Sequence, residues 1–456
     1  MDMRKRILVL IVVYLFFTKL PSKAAESGAE SRGAAGETKV TAAVPAEGEA
    51  ITLQDAIRIA QQNHGSVVVA QQSVESAQQR VRQARVGTLP RVTGEVDYRG
   101  RGVSTWSNRS GLGGTQFDQG LQPKVSVSYT ILDGGLTSAE VKQAKAGVQT
   151  NEAGLVSTRN NLAFTVASNY LAQLRAAKIL ELRKAQEQLA ATQLESVEAR
   201  IKAGSAAEAD RALVLSEFRN RQVDRIQAEN EFRVAANSLR NSMGLPVGPP
   251  LRLVELEENL QDLPPVEQLR EIALRQRPEV IQAEARKRMA EAGLEIARIQ
   301  RNPRLVTSAG LNATPEDPTQ RSDWQLSMSV TMPLWDAGQS RARVLEAEAE
   351  LQSAEAELEQ LKKNIGAEVE EAYLNVTNAR ERLVASRLAA DAARVNLEAT
   401  TARYQQGVAG VSVVNLILAQ VEYSTASTNA IQALYDVYLA QAQLDKALGR
   451  FPSIGK

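Results

Sequence analysis

Few side chains in this sequence are equipped for bond-making chemistry. His64 is the only histidine among 456 residues and there is no cysteine, so a thiolate nucleophile, a disulfide framework and a cysteine-based metal site are excluded. His64 closes a Gln61-Gln-Asn-His64 run of helical pattern, and no Cys, His or Ser constellation accompanies it that could act as a catalytic set. No cofactor or metal site is expected, and six methionines with one histidine give no metal-binding bias. The carboxylates Glu208 and Asp210 follow Gly204 at the start of a helical stretch, where negative charge favours the helix dipole. What remains is the chemistry of solvent preference. In Trp324-Gln-Leu-Ser-Met-Ser-Val-Thr-Met332 the large apolar residues Trp324, Leu326, Met328, Val330 and Met332 alternate with Gln325, Ser327, Ser329 and Thr331. Strict period two predicts a strand with one oily face, and the question is what covers it.

The wider composition narrows the answer. Fifty-four basic residues balance 53 acidic ones, so no field directs the chain to nucleic acid. Arg4-Lys5-Arg6, the apolar run from Ile7 to Phe17 and small residues around Ser22-Lys23-Ala24 read as a cleaved secretory signal over 1–24. That apolar run is shorter than the roughly 20 residues a helix needs to span a bilayer. Residues 25–50 are rich in Gly, Ala and Glu and are expected to be flexible. With no later transmembrane helix in the pattern, an exported chain can enter a membrane only as a closed β-barrel.

The chain is also written twice. Ala60, Val67, Ala70, Ala84, Arg85 and Pro90 recur 213 positions later as Ala273, Val280, Ala283, Ala297, Arg298 and Pro303; past the strands the offset is 203, pairing Asp133 with Asp336, Tyr170 with Tyr373 and Gly204 with Gly407. The repeats run over 51–244 and 266–449, with a proline-rich linker at 245–265 and a tail at 450–456. Repeat one is expected to hold a helix over 52–88, strands near 91–101 and 122–132, a helix from Thr137 to Ala203 begun by a Thr137-Ser-Ala-Glu140 capping box, and a helix over 206–242. Repeat two gives helix 266–301, strands 304–312 and 324–333, helix 339–406 and helix 412–448.

The long helices carry a coiled-coil stripe. Val344, Leu351, Leu358 and Ile365 are seven apart, and Val369, Val376, Leu383, Ala390 and Leu397 continue at seven after a step of four. About 67 residues make a rod of roughly 100 Å, whereas the flanking helices of about 37 residues reach about 55 Å. Two short helices end to end therefore match one long one, giving antiparallel rods with the strands at one end and glycine turns at the other.

Those helices use their stripes on one another, so lipid is the better cover for the strands. Val92, Val96 and Tyr98, then Val125, Val127, Tyr129 and Ile131, then Leu305 and Leu311 alternate as the Trp324 stretch does. Trp324 and Trp335 are eleven residues apart, about 26 Å along the membrane normal at a 45° tilt, close to the ~25 Å apolar band of outer-membrane barrels; Tyr129 and Trp335 are the candidate interface aromatics. The Gly-rich segment from Arg101 to Gly120 and the segment Thr314-Pro-Glu-Asp-Pro318 are then expected as exterior loops. Four strands cannot close a barrel, so the chain must oligomerise.

The double repeat, "TLPRVTGEVDY" and "NPRLVTSAGL" at helix-to-strand junctions, "VSYTILDGGLTSAEVKQA" and "VTMPLWDAGQSRARVLEAEA" at strand-to-helix junctions, and the closing "YLAQAQLDKALG" resemble the TolC family of outer-membrane efflux proteins. The resemblance covers essentially the whole mature chain. It implies a mainly α fold with a transmembrane β-barrel: a homotrimer with a 12-stranded barrel in outer-membrane lipid and a long periplasmic α-barrel. It implies a passive conduit for efflux or type I secretion, docked to a periplasmic adaptor and an inner-membrane transporter of RND, ABC or MFS type. Gly204, Ser205, Gly407 and Val408 would be the helix-tip turns that meet the adaptor. Glu208, Asp210 and Asn415 would stand at the periplasmic entrance; family members often carry acids there, and repeat two offers Asn415 instead. A heavy-metal exporter channel is an alternative within the class. A periplasmic coiled-coil scaffold is the alternative outside it, and four amphipathic strands of membrane length argue against it.

Overall fold

The computed structural model describes residues 50–105, 114–204, 207–258, 263–313, 322–406 and 410–452. The expected signal segment, the 25–49 stretch, the Thr314–Pro318 segment, Ser205, Gly407 and Val408 lie outside these residues. In chain order the elements are α1 (Leu53–Asn63), α2 (Gly65–Arg85), β1 (Arg91–Thr105), β2 (Gly114–Leu132), α3 (Leu136–Lys202) and α4 (Glu208–Ser242). The second half gives α5 (Val266–Gln276), α6 (Pro278–Ile299), β3 (Arg304–Ala313), β4 (Ser322–Thr331), α7 (Gln339–Gln405) and α8 (Val413–Ala447). The halves copy each other in length: α3 and α7 have 67 residues each, α4 and α8 have 35 each.

Each helix expected over 52–88 and 266–301 is in fact two. His64 breaks the first with extended backbone (φ −76, ψ 126), its Nδ1 accepting the Ser66 N–H to cap α2. Arg277 breaks the second (φ −66, ψ 125), because the ring of Pro278 disfavours helical geometry in the residue before it. Both breaks meet a left-handed glycine. Gly244 (φ +71) ends α4 so close to Asn63 that a Cβ would sit 3.0 Å from its carbonyl carbon; Gly449 (φ +76) stands equally close to the Cα of Arg277. Asn169, midway along α3, donates to the Ser238 carbonyl at 3.4 Å. So α2 and α4 meet end to end beside α3, as their lengths required.

The capping box at Thr137 is not formed. Gly134 and Gly135, both at positive φ, turn the chain, and the Asp133 carboxylate takes the N–H groups of Gly135 (2.9 Å) and Thr137 (2.7 Å). The acid upstream of the turn reaches the open amides first. Asp336 repeats this on Gly338 (3.1 Å) and Ser340 (2.9 Å). Burial acts to raise the Asp133 pKa, but the bonds from Thr137 and Gly135 outweigh it and hold the carboxyl below its usual value; Asp336 is lowered first by the Ser340 hydroxyl.

The strand bounds also shift. β1 and β2 pair from Arg91↔Ser128 out to Thr105↔Gly114, so much of the expected Arg101–Gly120 loop is hairpin. β4 stops at Thr331, since Pro333 cannot donate to a ladder. Met332 and Trp335 therefore lie past the strand rather than on it, and the strand is shorter than the Trp324-to-Trp335 spacing implied.

The core runs along the helix seams. Leu358, Ile365, Val369, Val376 and Leu383 are buried against α5 and α8, the expected stripe. In repeat one, buried Tyr170 donates its hydroxyl to the carbonyls of Val254 (2.6 Å) and Ile51 (3.0 Å), pinning the linker across α3; burial pushes its pKa up to about 12. No helix among the described residues is long and apolar enough to cross a membrane.

Candidate functional site

Two regions carry the predicted functional residues: the sheet at one end of the rods and the helix tips at the other. The sheet is a four-stranded antiparallel array in the order β1-β2-β3-β4, and its register sorts side chains by solvent preference across all four strands. Val92, Val127, Ala309 and Leu326 form one row, and Gly94, Val125, Leu311 and Trp324 another. A third row is Tyr129, Thr307 and Met328; a bulge after Thr130 then brings Leu132 opposite Leu305 and Val330. The interleaved rows are polar: Arg91, Ser128, Ser308 and Ser327; Thr93, Ser126, Gly310 and Gln325. Hydroxyls bond across that face, Thr93 to Ser126 and Ser308 to Ser327, both at 2.7 Å.

Among the described residues nothing covers the apolar face. Trp324, Leu326, Met328 and Val330 are 66, 69, 67 and 68 % exposed, and Met332, Leu334 and Trp335 continue the exposed apolar surface toward the helices. One polar face and one bare apolar face at barrel-strand length is the pattern of a sheet between lipid and water. β1 and β4 are the edges of the array and leave one side of each ladder unpaired.

At the tips, α3 ends in Gly204 at φ +73. Val197, Val214 and Val413 are buried together, with Ile201, Tyr404 and Ile417 packed around them, so both repeats share one apolar knot. The Arg200 guanidinium lies 5.0 Å over the Tyr404 ring. The predicted entrance residues have local partners. Asp210 accepts the Ala207 N–H at 3.4 Å. Asn415 takes the Ser412 N–H at 3.0 Å and the Ser412 hydroxyl at 2.7 Å. The two occupy the same position, the third residue of α4 and of α8, and both close the helix start. Glu208 is held by Arg211 at 3.0 Å, which also reaches Glu198 on α3 at 3.2 Å. Arg211, Arg200, Tyr404 and Ser412 were not singled out from the sequence; the Glu208–Arg211 spacing of three was the one available signal. Among the described residues no group of His, Asp and Glu is placed to hold a metal ion.

This architecture has relatives. The chain is 24% identical over 389 residues to the outer membrane protein TolC of Vibrio cholerae, covering 82% of this chain and 85% of that one. It is 25% identical over 225 residues to the proteases secretion protein PrtF of Dickeya chrysanthemi, over 47% of this chain and 48% of that one. The CmeC outer membrane channel of Campylobacter jejuni superposes with a TM-score of 0.74 at 16% identity, over 87% and 85% of the two chains. A family model described as Outer membrane efflux protein matches residues 56–245 and 269–450, one stretch on either side of the linker, and the chain belongs to that family of outer-membrane channel proteins.

Proposed function

We propose that three copies of this chain close into one outer-membrane conduit, a 12-stranded barrel continued by a periplasmic tunnel of helices. The observation that carries this is the bare apolar sheet with two open edges: four strands cannot close, and unpaired backbone in hydrocarbon is prohibitively costly. The helices support the same arrangement. Along the rods, α4, packed on α3, exposes Leu213, Val223, Ile226 and Val234, and α7, packed on α8, exposes Leu374, Val384, Leu388 and Val395. The two surfaces differ, so the contact is head to tail, the kind that closes rings. The polar rows of the sheet then line the lumen. The channel serves efflux or type I secretion, and cargo reaches it from an inner-membrane transporter through a periplasmic adaptor. The adaptor docks at the tip turns Gly204, Ser205, Gly407 and Val408, and Glu208, Asp210 and Asn415 stand around the entrance.

The test is assembly and conduction together. Purified protein should run as a crosslinkable trimer and conduct ions across planar bilayers. A monodisperse monomer in detergent, or bilayers that stay silent with the tips loosened by substitution of Arg200, would reject the reading.

A further inference from the structure

Where β3 leaves α6, a cleft of about 390 Å³ is lined by Gln300, Asn302, Arg304, Thr331, Pro333 and Arg343. It holds two guanidiniums, two carboxamides and a hydroxyl, and no carboxylate is among its lining residues. Arg304 and Thr331 are register partners in the row beside Val306 and Ser329, on the polar face of the sheet. Arg343 gives one Nη1–H to the Gln300 Oε1 at 2.7 Å, which orients the guanidinium and leaves other donors open. Asn302 is tied to the Gly134 carbonyl at 3.3 Å. Arg304 has no side-chain partner among the described residues, whereas Arg298 near the end of α6 is paired with Glu348 at 3.0 Å and Lys142 with Glu295 at 2.8 Å. Among the described residues neither Arg304 nor Arg343 is paired with a carboxylate.

The duplication supplies an internal comparison. With offsets of 213 and 203, Arg304 corresponds to Arg91 and Thr331 to Ser128, but Asn302 corresponds to Leu89 and Arg343 to Glu140. Repeat one thus keeps one arginine and sets a carboxylate where repeat two has the second. A feature needed only to join helix to strand would be expected in both copies.

We propose that this cleft binds an anionic group, a phosphate or carboxylate on a solute moving along the lumen, one site per chain at the lower mouth of the barrel. Two convergent guanidiniums match such oxygens in bidentate fashion, and a carboxamide and hydroxyl complete the set. The luminal placement rests on the channel reading above; the binding itself does not.

The experiment uses the full-length protein in neutral detergent at low ionic strength, where screening is weak, with inorganic pyrophosphate as probe. Calorimetry should show one pyrophosphate per chain, weakened about tenfold or more by Arg304→Gln and by Arg343→Gln and unchanged by Arg341→Gln, an exposed arginine two residues away that does not line the cleft. No binding to the wild type, or equal losses in all three variants, overturns the site; the second result would mean general surface charge. Phosphatidylglycerol doped into the micelles should leave the isotherm unmoved, and displacement would reassign the cleft to a lipid headgroup. In planar bilayers pyrophosphate should reduce conductance of the wild type and not of Arg304→Gln. Binding without block would remove the cleft from the conducting path, and binding without any conductance would reject the channel while leaving the site.

Discussion

Arg200 of repeat one lies over the ring of Tyr404 of repeat two, 5.0 Å from its centroid, beside the valine knot that joins the tips. A cation over an aromatic face contributes about 0.5 to 2 kcal/mol. Tyr404→Ala should therefore loosen the tips alone. Amide exchange over 194–204 and 410–417 should quicken several-fold while the segment around Tyr170 keeps its protection. Uniform quickening along α3 would mean that the rod, not the tip, had been damaged.

The register of β4 makes a sharper demand. Leu326 and Met328 are on the bare apolar face and Ser327 on the hydroxyl-lined face. An arginine at the bilayer midplane on a lipid-facing position costs about 2 to 4 kcal/mol. Leu326→Arg and Met328→Arg should abolish heat-stable oligomer in outer-membrane fractions, and Ser327→Arg should leave it intact. Equal effects at the three positions would place the sheet outside lipid.

Asp210 separates two roles. Glu208 is offset by Arg211, so Asp210 supplies the less compensated charge at the α4 start. A charged ring in a narrow mouth focuses the field on passing ions. Asp210→Asn keeps the capping acceptor and should lower cation preference, read as a shift in reversal potential across a salt gradient, with oligomer unchanged. An unmoved reversal potential would reduce the residue to a helix cap.

Acid should unfasten the sheet from the rods. The Asp133 and Asp336 carboxyls are held below the ordinary value of 3.8. Depressed folded pKa values give stability that is fully present above 3.8 and lost as pH falls through the lower folded values. Melting temperature should thus drop below about pH 4, and Asp133→Asn should flatten that drop. The variant melting as steeply as the wild type would assign the acid response to other carboxylates.

Much of this organisation is legible in the residues because it is periodic. The heptad stripe through Leu358, Ile365 and Val376 reports burial, and the alternation through Trp324 and Val330 reports a two-faced strand, since both patterns outlast local irregularity. What escaped is set by single contacts between distant residues. The break at His64 depends on Gly244 arriving from the end of α4, and the start of α3 depends on Asp133 outreaching Thr137. At the tip, Arg211 bridging to Glu198 requires α3 and α4 to be already side by side. Repeat symmetry could have pointed to the position shared by Asp210 and Asn415, but not to their closing of helix starts, because a conduit's entrance and a helix cap favour the same side chains.

The two open edges of the sheet have a consequence for biogenesis. A solitary chain carries an oily surface that water rejects and a frayed ladder that oil rejects, so neither compartment offers it a resting place. In the proposed three-chain conduit, membrane insertion and subunit docking would then be a single event, and its speed would rise steeply with the number of newly exported copies. Cells making little of this protein would accumulate stranded chains for periplasmic proteases to clear, and mature channels would appear only past a threshold of expression.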